Sequence, residues 1–590
     1  MLTFHFATET VSEKIMNRVL TLLMVAGSFN VYGASSKVSR GLDYSSASTA
    51  VDVIVEYKVG VTAPTAQQFV SRGGILRRSL ALVNAYAASL PASSIEALAN
   101  DPNVAFISKD RPVRGLALDY GVETVNAPSA WHYGYVGTGI GVAVIDSGVD
   151  AHPDLGNGSN DQGSRVVYSE SFIADPGTND PFGHGTHVAG LIAGNGAASS
   201  GNSFRYTVRG IAPGANIINL RVLDERGNGS DSAVIAAISR ATELKGRFNI
   251  RIINLSLGRP IYDGYQNDLL CKAVEKAWQA GILVIVAAGN DGRNNLTGND
   301  GYATVNSPAN DPLVLTVGAM KTQGTSARVD DLIASYSSKG PTLYDHVVKP
   351  DLVAPGNRAV SLYADPAYLE STYPGNGVPV SDYKANSNAH TSQDYFTLSG
   401  TSMSAAVVSG AAALILQKEP GLTPDTVKAR LMKTASKTFP ASSVTVDVSG
   451  TAYRSQYDLF TIGAGYLDIA AALASTDVTA GSAISPLVTF DPVTGNVYLV
   501  SDQSAVWGTS AVWGTSAVWG TSAVWGTSAV WGTSAVWGTS AVWGTSTTAG
   551  FNTVRTNTAV WGTSAVWGTS AVWGTTAVWG TESTAITGEN

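Results

Sequence analysis

The sequence predicts an α/β protein with a doubly wound, mostly parallel sheet, a small α/β domain before it and a low-complexity tail after it. Two observations carry this prediction. Apolar strand-like runs alternate with helical patterns through the middle of the chain, which is typical of a parallel sheet covered on both faces. A hexapeptide, Ala-Val-Trp-Gly-Thr-Ser, then repeats towards the end of the chain. The 590 residues are also too many for one compact core, so two or more domains are expected.

Composition excludes two classes of protein. The formal net charge is −8 and there is no run of Lys and Arg, which argues against nucleic acid as a partner. Cys271 is the single cysteine, so the chain is not a disulfide scaffold. It lies in a helical pattern and is predicted to be an inert buried thiol. A cysteine nucleophile is the alternative.

An export signal is predicted at residues 1–34, followed by a linker at 35–49. Lys14 and Arg18 precede an apolar run at 19–29, and small residues follow at 33–36. This is the pattern of a secretory signal, and its apolar run is too short to span a bilayer. Residues 1–15 fit the pattern poorly, so Met16 is an alternative start. No other segment is expected to span a membrane, and the protein is predicted to be secreted and extracellular.

Residues 50–114 are predicted to form the small α/β domain. The segment 51–57 alternates like a strand, and 104–107 is a second short strand. Between them, residues 91–98 have the pattern of a helix start followed by an amphipathic turn.

Residues 115–478 are predicted to form the large domain. Gly281 is a good stop for its second helical pattern, and Thr423 with Pro424 opens a further helix. The strand-like runs are 141–145, 217–220, 252–257, 282–287 and 314–319, and the first two helical patterns are 230–244 and 268–280.

A β-hairpin linker is predicted at 479–500, and the hexapeptide tail occupies 501–590. The array runs from 505 to 546, is interrupted at 547–558, and resumes from 559 to 581. Three interpretations stay open: disordered low complexity, a regular β-structure with Ala, Trp and Thr on one face, or an aromatic ladder that binds polysaccharide or a cell surface.

Two short motifs place an acid and a base. Asp146 ends an apolar strand and is followed by a tight turn, at the kind of edge where α/β sheets form sites. His184 lies between two glycines at the start of an apolar helix, and those glycines permit a close approach of backbone or substrate. Each has an alternative role: Asp146 as a turn or cap residue, and His184 with His187 as metal ligands. The histidine pair lacks the glutamate of a zincin helix.

Two further motifs place a nucleophile and a hydrogen-bond donor. Ser402 follows Gly-Thr at the start of a helix of small residues, whose N-terminus favours a developing negative charge. Asn290 follows an apolar strand, where its amide is a candidate donor to an oxyanion. The alternative roles are an N-cap serine and a turn asparagine.

Together, these four motifs resemble the subtilisin family of serine peptidases over residues 120–475. The order Asp, His, Ser is that family's order and differs from those of chymotrypsin-like and α/β-hydrolase enzymes. The resemblance implies a subtilisin-like fold with Ser402 as nucleophile, His184 as general base and acid, and Asp146 as the residue that orients the imidazole. Asn290 and the backbone N–H of Ser402 would form the oxyanion hole. The flanking motifs that agree lie at 152–155, 210–215, 256–258, 337–341 and 349–356.

The resemblance also implies residues that bind substrate and metal. Ser256, Leu257 and Gly258 correspond to the strand that pairs with an extended peptide, and Asn306 to the floor of the pocket for the residue before the scissile bond. Asp154 corresponds to a ligand of a structural calcium ion, and no catalytic cofactor is implied. The loop 194–209 is longer than usual and does not align, so calcium is left open.

Three features depart from the family pattern. Ala406 stands where a proline is usual, and Arg259 stands where a glycine is frequent, so that its charge is expected to narrow the cleft or attract acidic residues. An insertion at about 357–396 is predicted to be loop-like and to wall the substrate cleft.

The family resemblance makes residues 50–114 an inhibitory propeptide, which would be a partner of the enzyme until it is cut off. The cut is expected between 110 and 120, near Arg114. The chain is therefore predicted to be a secreted serine endopeptidase that is made as a zymogen and acts on proteins or peptides. The alternative is an adhesin-like or surface-binding protein that uses the peptidase domain as a scaffold.

Overall fold

The computed structural model describes residues 37–39, 42, 50–58, 60, 63–110, 119–157, 163–294, 299–385, 387, 390–447, 449–479, 481–491, 496–500 and 586–589. The predicted signal peptide, the region around Arg114 and the hexapeptide array lie outside these residues. The chain divides into two compact units, one ending at Gly115 and the other beginning at Leu116.

The described residues of the first unit form a four-stranded antiparallel sheet, in the strand order β2-β3-β1-β4, and two α-helices. Edge-to-face contacts among Tyr57, Phe69 and Tyr86, whose ring centroids lie 5.7–6.4 Å apart, fill its core. The elements are β1 (Ala50–Tyr57), α1 (Ala63–Ser71), β2 (Ile75–Leu80), β3 (Ala85–Pro91), α2 (Ile95–Ala99) and β4 (Val104–Lys109).

The second unit is built on a mostly parallel sheet, as predicted. Among the described residues this sheet has eight strands in the order β11-β10-β9-β8-β5-β7-β6, with β12 paired to β10. The pairing of β10 with β11 is antiparallel and the others are parallel. These strands are β5 (Gly141–Asp146), β6 (Val166–Ser171), β7 (Asn216–Arg221), β8 (Ile250–Leu255), β9 (Leu283–Ala287), β10 (Leu315–Lys321), β11 (Leu332–Ile333) and β12 (Leu352–Pro355).

Helices cover this sheet on both faces, since β5, β9 and β10 are buried at every residue. No helix in the described part of the chain is long and apolar enough to cross a membrane. The α-helices are α3 (Gly121–Thr124), α4 (Ala127–His132), α5 (Gly185–Ala193), α6 (Asp231–Phe248), α7 (Leu269–Gln279), α8 (Tyr368–Thr372), α9 (Val380–Tyr383), α10 (Thr401–Lys418), α11 (Pro424–Thr434), α12 (Leu459–Ile462) and α13 (Ile469–Ala474).

The prediction that residues 357–396 are loop-like is wrong. They contribute most of a three-stranded antiparallel sheet of β13 (Ala359–Leu362), β14 (Gly377–Pro379) and β15 (Thr391–Leu398), together with helices α8 and α9. The polar residues of this segment hid its strands from sequence analysis. The sheet is short, and its apolar residues pack on the core of the second unit. Leu362 and Tyr395 are buried in the same core as the main sheet.

Two hairpins complete the second unit. One is formed by β16 (Ser442–Val446) and β17 (Ala452–Gln456), and the other by β18 (Leu487–Asp491) and β19 (Asn496–Val500). The second hairpin lies where the sequence predicts one.

The fold brings three motifs to one edge of the main sheet. Asp146 is the last residue of β5, Ser256 directly follows β8, and Asn290 follows β9 by three residues. Because these strands are parallel, their carboxyl ends meet at the same edge, where open α/β sheets place their sites.

Candidate active site

Asp146 and His184 form a buried pair. The Asp146 Oδ1 atom lies 2.6 Å from His184 Nδ1, and both side chains are fully buried. A carboxylate in this position orients the ring and fixes the proton on Nδ1, which leaves Nε2 to accept another proton. Gly185 permits the approach, since a Cβ there would lie 2.2 Å from the Gly148 carbonyl oxygen and 3.1 Å from the Asp146 Cβ.

Asp180 supports this pair through a second set of hydrogen bonds. Its Oδ2 accepts from the backbone N–H of Thr186 at 2.7 Å, and its Oδ1 accepts from Gly183 N at 2.8 Å and Ser147 Oγ at 2.7 Å. The Ser147 hydroxyl in turn accepts a hydrogen bond from Gly185 N. The carboxylate therefore holds the start of α5, where His184 is the N-cap residue, to the turn that follows Asp146.

Ser402 is the second residue of α10, the long buried helix that packs against β8, β9 and β10. Its Oγ donates to the Ser256 carbonyl at 3.1 Å, and the Ser256 hydroxyl donates to the Ser402 carbonyl at 2.9 Å. These two bonds fix the N-terminus of α10 to the end of β8. The helix thus presents the serine, with its backbone N–H in the first turn, at the edge that carries Asp146.

The amide of Asn290 has a fixed orientation. Its Oδ1 accepts hydrogen bonds from the backbone N–H of Thr401 at 2.9 Å and from the Thr401 hydroxyl at 3.1 Å. Since the oxygen is held in this way, the Nδ2 group is the part of the side chain that can donate to a ligand. The residue after Thr401 is Ser402, and its backbone N–H is a second donor beside the Asn290 amide. The arrangement suits a negative charge that develops on a carbonyl oxygen.

Comparison with known families agrees with this geometry. The model of the subtilase family matches residues 137–465, which is more than half of the chain. The chain belongs to the subtilase family. It is accordingly a subtilisin-like serine endopeptidase, and the buried His–Asp pair is the arrangement that such an enzyme requires.

Characterised relatives of this subtilase align along most of their own length. The serine protease AprX of Bacillus subtilis (strain 168) is 36% identical over 60% of this chain and 75% of its own. Subtilisin E of the same strain is 34% identical over 62% of this chain and 79% of its own. An alkaline protease of Shouchella clausii is 32% identical over 59% of this chain and 73% of its own.

His187 has a structural environment in this subtilase. Its Nε2 lies 3.1 Å from the Ala359 carbonyl and 3.2 Å from the Phe396 carbonyl, so this nitrogen carries the proton. Burial, and to a smaller extent the neighbouring His184, lower the pKa of His187 to about 3. The ring is thus bonded to two strands of the short sheet, which is a structural environment.

The predicted substrate-binding residues lie along the segment that follows β8. Leu257 is buried and Gly258 is half-buried, and a Cβ on Gly258 would lie 3.1 Å from Asn306. Asn306 donates from Nδ2 to Asp291 at 3.1 Å. The structure therefore places Asn306 beside residues 256–258, and their contact with substrate stays a prediction.

Arg259 does not offer a free positive charge to acidic substrates. Its guanidinium is bonded to the carboxylates of Asp231 and Asp268, each at 2.9 Å. Asp268 also accepts a hydrogen bond from Leu270 N at the start of α7. The arginine thus joins two helix N-termini, and the predicted attraction of acidic residues has no support in this geometry.

Cys271 is buried, as predicted. Its Sγ lies 3.3 Å from Asn310 Oδ1, and burial raises the pKa of the thiol well above its ordinary value. A thiol held neutral in this way is a poor nucleophile.

The surroundings of Asp154 do not fit a calcium ion. Its Oδ1 accepts a hydrogen bond from Ala198 N at 2.7 Å, and its Oδ2 accepts one from the Tyr395 hydroxyl at 2.8 Å. The carbonyl oxygen of Asp154 accepts from the buried guanidinium of Arg165 at 2.6 Å. Donors therefore occupy the oxygens that a hard cation would need. In the part of the chain that the structure describes, no group of three or more His, Cys, Asp or Glu is placed to hold a metal.

The short sheet and its helices pack on the loop that carries His184. Tyr368 stacks on Phe182 with ring centroids 6.1 Å apart, and the Tyr368 N–H donates to the Pro181 carbonyl at 2.9 Å. The Phe182 and His184 rings lie 6.4 Å apart. The insertion is therefore a neighbour of the candidate site, which supports its predicted place beside the cleft.

Sequence reasoning missed three side chains that build the site. Asp180, four residues before His184, had a detectable signal because an acid near a helix start is a common cap. Thr401 and Tyr395 had none, because each meets a partner more than 100 residues away in the chain.

Proposed function

We propose that this subtilase is a secreted serine endopeptidase, made as a zymogen, in which Asp146, His184 and Ser402 are the catalytic triad. The observation that carries the proposal is the 2.6 Å contact between the fully buried Asp146 and His184, at the sheet edge where Ser402 lies in the first turn of α10. A buried carboxylate that meets a histidine beside a serine is the arrangement that activates a hydroxyl for acyl transfer.

The first half of the reaction forms an acyl-enzyme. The Ser402 hydroxyl turns from the Ser256 carbonyl towards His184 Nε2, and its oxygen attacks the carbonyl carbon of the scissile bond. The proton passes to Nε2, and Asp146 stabilises the resulting imidazolium. The C–N bond then breaks, His184 returns the proton to the leaving amine, and the new N-terminus departs.

The second half removes the acyl group. Water loses a proton to His184 as it attacks the ester carbonyl, and the ester C–O bond breaks as the proton returns to Ser402. In both halves the Nδ2 group of Asn290 and the Ser402 N–H donate to the carbonyl oxygen while it carries negative charge. The hold of Thr401 on Asn290 Oδ1 supports this, because it orients the donor before the reaction starts.

An extended peptide substrate would pair with residues 256–258, and Asn306 would line the pocket beside the scissile bond. Asn306 lies against Gly258, which supports this placement. The pairing is an addition of one strand to a free backbone edge, in which main-chain hydrogen bonds give affinity and side-chain pockets give specificity.

The first unit is proposed to be the inhibitory propeptide. It is a separate compact unit with its own aromatic core, which supports independent folding. The described residues of this unit end at Asp110, and cleavage is proposed between 110 and 120, near Arg114. Export rests on the signal pattern at 1–34.

Expression of the full chain and of Ser402→Ala tests the proposal. The wild-type chain should convert to a shorter form with a new N-terminus between 110 and 120, measured by intact mass, and this form should hydrolyse casein. The Ser402→Ala chain should stay uncut and inactive.

Asp263→Asn is a matched control, because Asp263 is exposed and lies outside the four motifs and outside the segment 256–258. It should mature and cleave casein like wild type. Maturation and casein cleavage by Ser402→Ala at wild-type rates would contradict the proposal.

A further inference from the structure

Residues 586–589, which follow the hexapeptide array, are buried against the second unit. Taken as whole residues, Ile586 and Glu589 are each 7% exposed to solvent. We call residues 586–589 the anchor segment, and we call the residues that contact it the anchor pocket. The pocket residues are Arg293, Lys321, Ser335, Asn357, Asn376 and Ser399.

The carboxylate of Glu589 is bound by four donors. Ser335 donates to it from its backbone N–H at 2.7 Å and from its hydroxyl at 2.5 Å. The Arg293 guanidinium lies 2.6 Å from Oε2, and the Lys321 ammonium lies 3.4 Å from Oε1. All three charged side chains are at most 4% exposed. Burial of a carboxylate is costly unless it is paired and hydrogen-bonded, so this pocket is built for an acidic side chain.

The backbone of the anchor segment is recognised as well. Asn357 binds Glu589 on both sides: its Nδ2 donates to the Glu589 carbonyl at 2.8 Å, and its Oδ1 accepts from the Glu589 N–H at 2.9 Å. Asn376 donates to the Ile586 carbonyl at 3.1 Å. The asparagine amides bond to the backbone N–H and C=O groups of the segment, as a neighbouring β-strand would. The pocket therefore recognises the direction of the bound chain as well as its charge.

Position 588 requires glycine, because a residue with a side chain would be strained there. Its φ is +82°, and a Cβ there would lie 2.4 Å from Arg358 Cγ and 2.6 Å from Ser399 Oγ. The pocket therefore selects a glycine followed by an acidic residue, which is a specific pattern in a region of repeated Ala, Val, Trp, Gly, Thr and Ser.

The other end of the repeat region is also held by the second unit. Val488 is buried, its N–H donates to the His346 carbonyl at 3.0 Å, and the Val348 N–H donates to Pro486 O at 2.8 Å. The β18–β19 hairpin leads from this attachment to Val500. Residues 501–585, which hold the hexapeptide array, thus join two segments that are both seated on the same unit.

We propose that the anchor pocket is a specific binding site for the chain's own anchor segment, and that it attaches the chain after the repeat region to the rest of the second unit. Its ligand class is an acidic peptide with the pattern Gly-Glu. This inference goes beyond the proposed function, because the pocket uses no atom of Asp146, His184 or Ser402.

The test uses the full chain in a Ser402→Ala background, with the recognition sequence of a site-specific protease inserted in the spacer 547–558. After cleavage at that site, native gel filtration and mass spectrometry show whether the fragment that contains residue 589 stays with the second unit. The fragment should co-elute in the parent chain and in Glu582→Gln, a control carboxylate in the same region. It should be lost from Glu589→Gln and from Gly588→Val.

A synthetic peptide of residues 583–590 provides an independent measurement. In excess this peptide should displace the cut fragment from the parent chain. For the same displacement, the peptide with glutamine at position 589 should require a concentration at least about tenfold higher. Release of the fragment from the parent chain would overturn the proposal. So would equal retention in the parent chain, Glu589→Gln and Gly588→Val.

Light scattering of the uncut protein separates an intramolecular contact from one between two copies. The mass should stay that of a monomer at all concentrations. A mass that rises with concentration, and that falls back to the monomer value in Glu589→Gln, would overturn the assignment to the chain's own segment.

Discussion

Asp146 Oδ1 and His184 Nδ1 lie 2.6 Å apart, and neither side chain is exposed to solvent. The contact joins the end of β5 to the residue that caps α5, and Ser147 and Asp180 support it from behind. Because both side chains are buried, the hydrogen bond between the carboxylate and the ring forms in a low-dielectric setting without competition from water. This strengthens the hold of the carboxylate on the orientation of the ring.

Asp146→Asn should lower kcat by about 10⁴-fold, because an amide at this position no longer holds the tautomer that leaves Nε2 able to accept a proton. KM and the melting temperature should change little, since asparagine has the same shape. Steady-state kinetics on a peptide substrate measure the effect, with Asp263→Asn as the matched control. A loss smaller than tenfold would show that Asp146 does not orient the base.

Thr401→Val should lower kcat by about tenfold while KM stays near wild type. The substitution removes the hydroxyl that bonds to Asn290 Oδ1 at 3.1 Å, so the amide loses part of its fixed orientation. Thr401→Ser keeps the hydroxyl and is the conservative control, which should restore most of the rate. If Val and Ser variants have the same kcat, the hydroxyl has no positioning role.

Asn290→Leu removes the proposed donor outright and should lower kcat by about 10²–10³, the loss known for an oxyanion-hole asparagine in a subtilisin. KM should again stay close to the wild-type value, because the bond forms mainly in the transition state. A variant with a raised KM and an unchanged kcat would instead place Asn290 in ground-state binding.

His187 should make stability depend on pH. Burial lowers its folded-state pKa from 6.5 to about 3, so its stabilising contribution is fully present above pH 6.5 and is lost as pH falls towards 3. His187→Gln keeps a donor for the Ala359 and Phe396 carbonyls and cannot titrate. The melting temperature of wild type should therefore fall more steeply than that of the glutamine variant between pH 6.5 and 3. Parallel curves would refute the assignment.

Tyr395→Phe should lower the free energy of unfolding by about 1–3 kcal/mol, because the buried Asp154 Oδ2 loses its donor. Urea denaturation measures this change. Because the surroundings of Asp154 do not fit calcium, excess EDTA should shift the melting temperature of wild type no more than that of Asp154→Asn. A chelator effect that Asp154→Asn abolishes would establish a calcium ion at this residue.

The main sheet could be predicted from the sequence because β5 and β9 are nearly continuous apolar runs, the pattern of strands that are buried on both faces. Strands β13 and β15 could not, because β13 has only four residues, β15 begins with four polar residues, and their pairing depends on the core they pack against. In the first unit, β2 was missed because Arg77 and Arg78 interrupt its apolar pattern.

The same division applies to the candidate site. Asp146, His184, Asn290 and Ser402 each lie at the end of a strand or the start of a helix, where local sequence carries a signal. The contacts of the anchor segment join residues more than 200 positions apart, so no local sequence pattern predicts them. Residue types alone do not distinguish the buried Glu589 from the exposed acids of the chain.

The most direct test of the central claim is covalent labelling by a fluorophosphonate, followed by peptide mass mapping of the mature enzyme. Our account predicts one adduct on Ser402, full loss of casein hydrolysis when labelling is complete, and strongly slowed labelling in His184→Ala. An adduct on a different residue, or casein hydrolysis that persists after Ser402 is fully labelled, would contradict it.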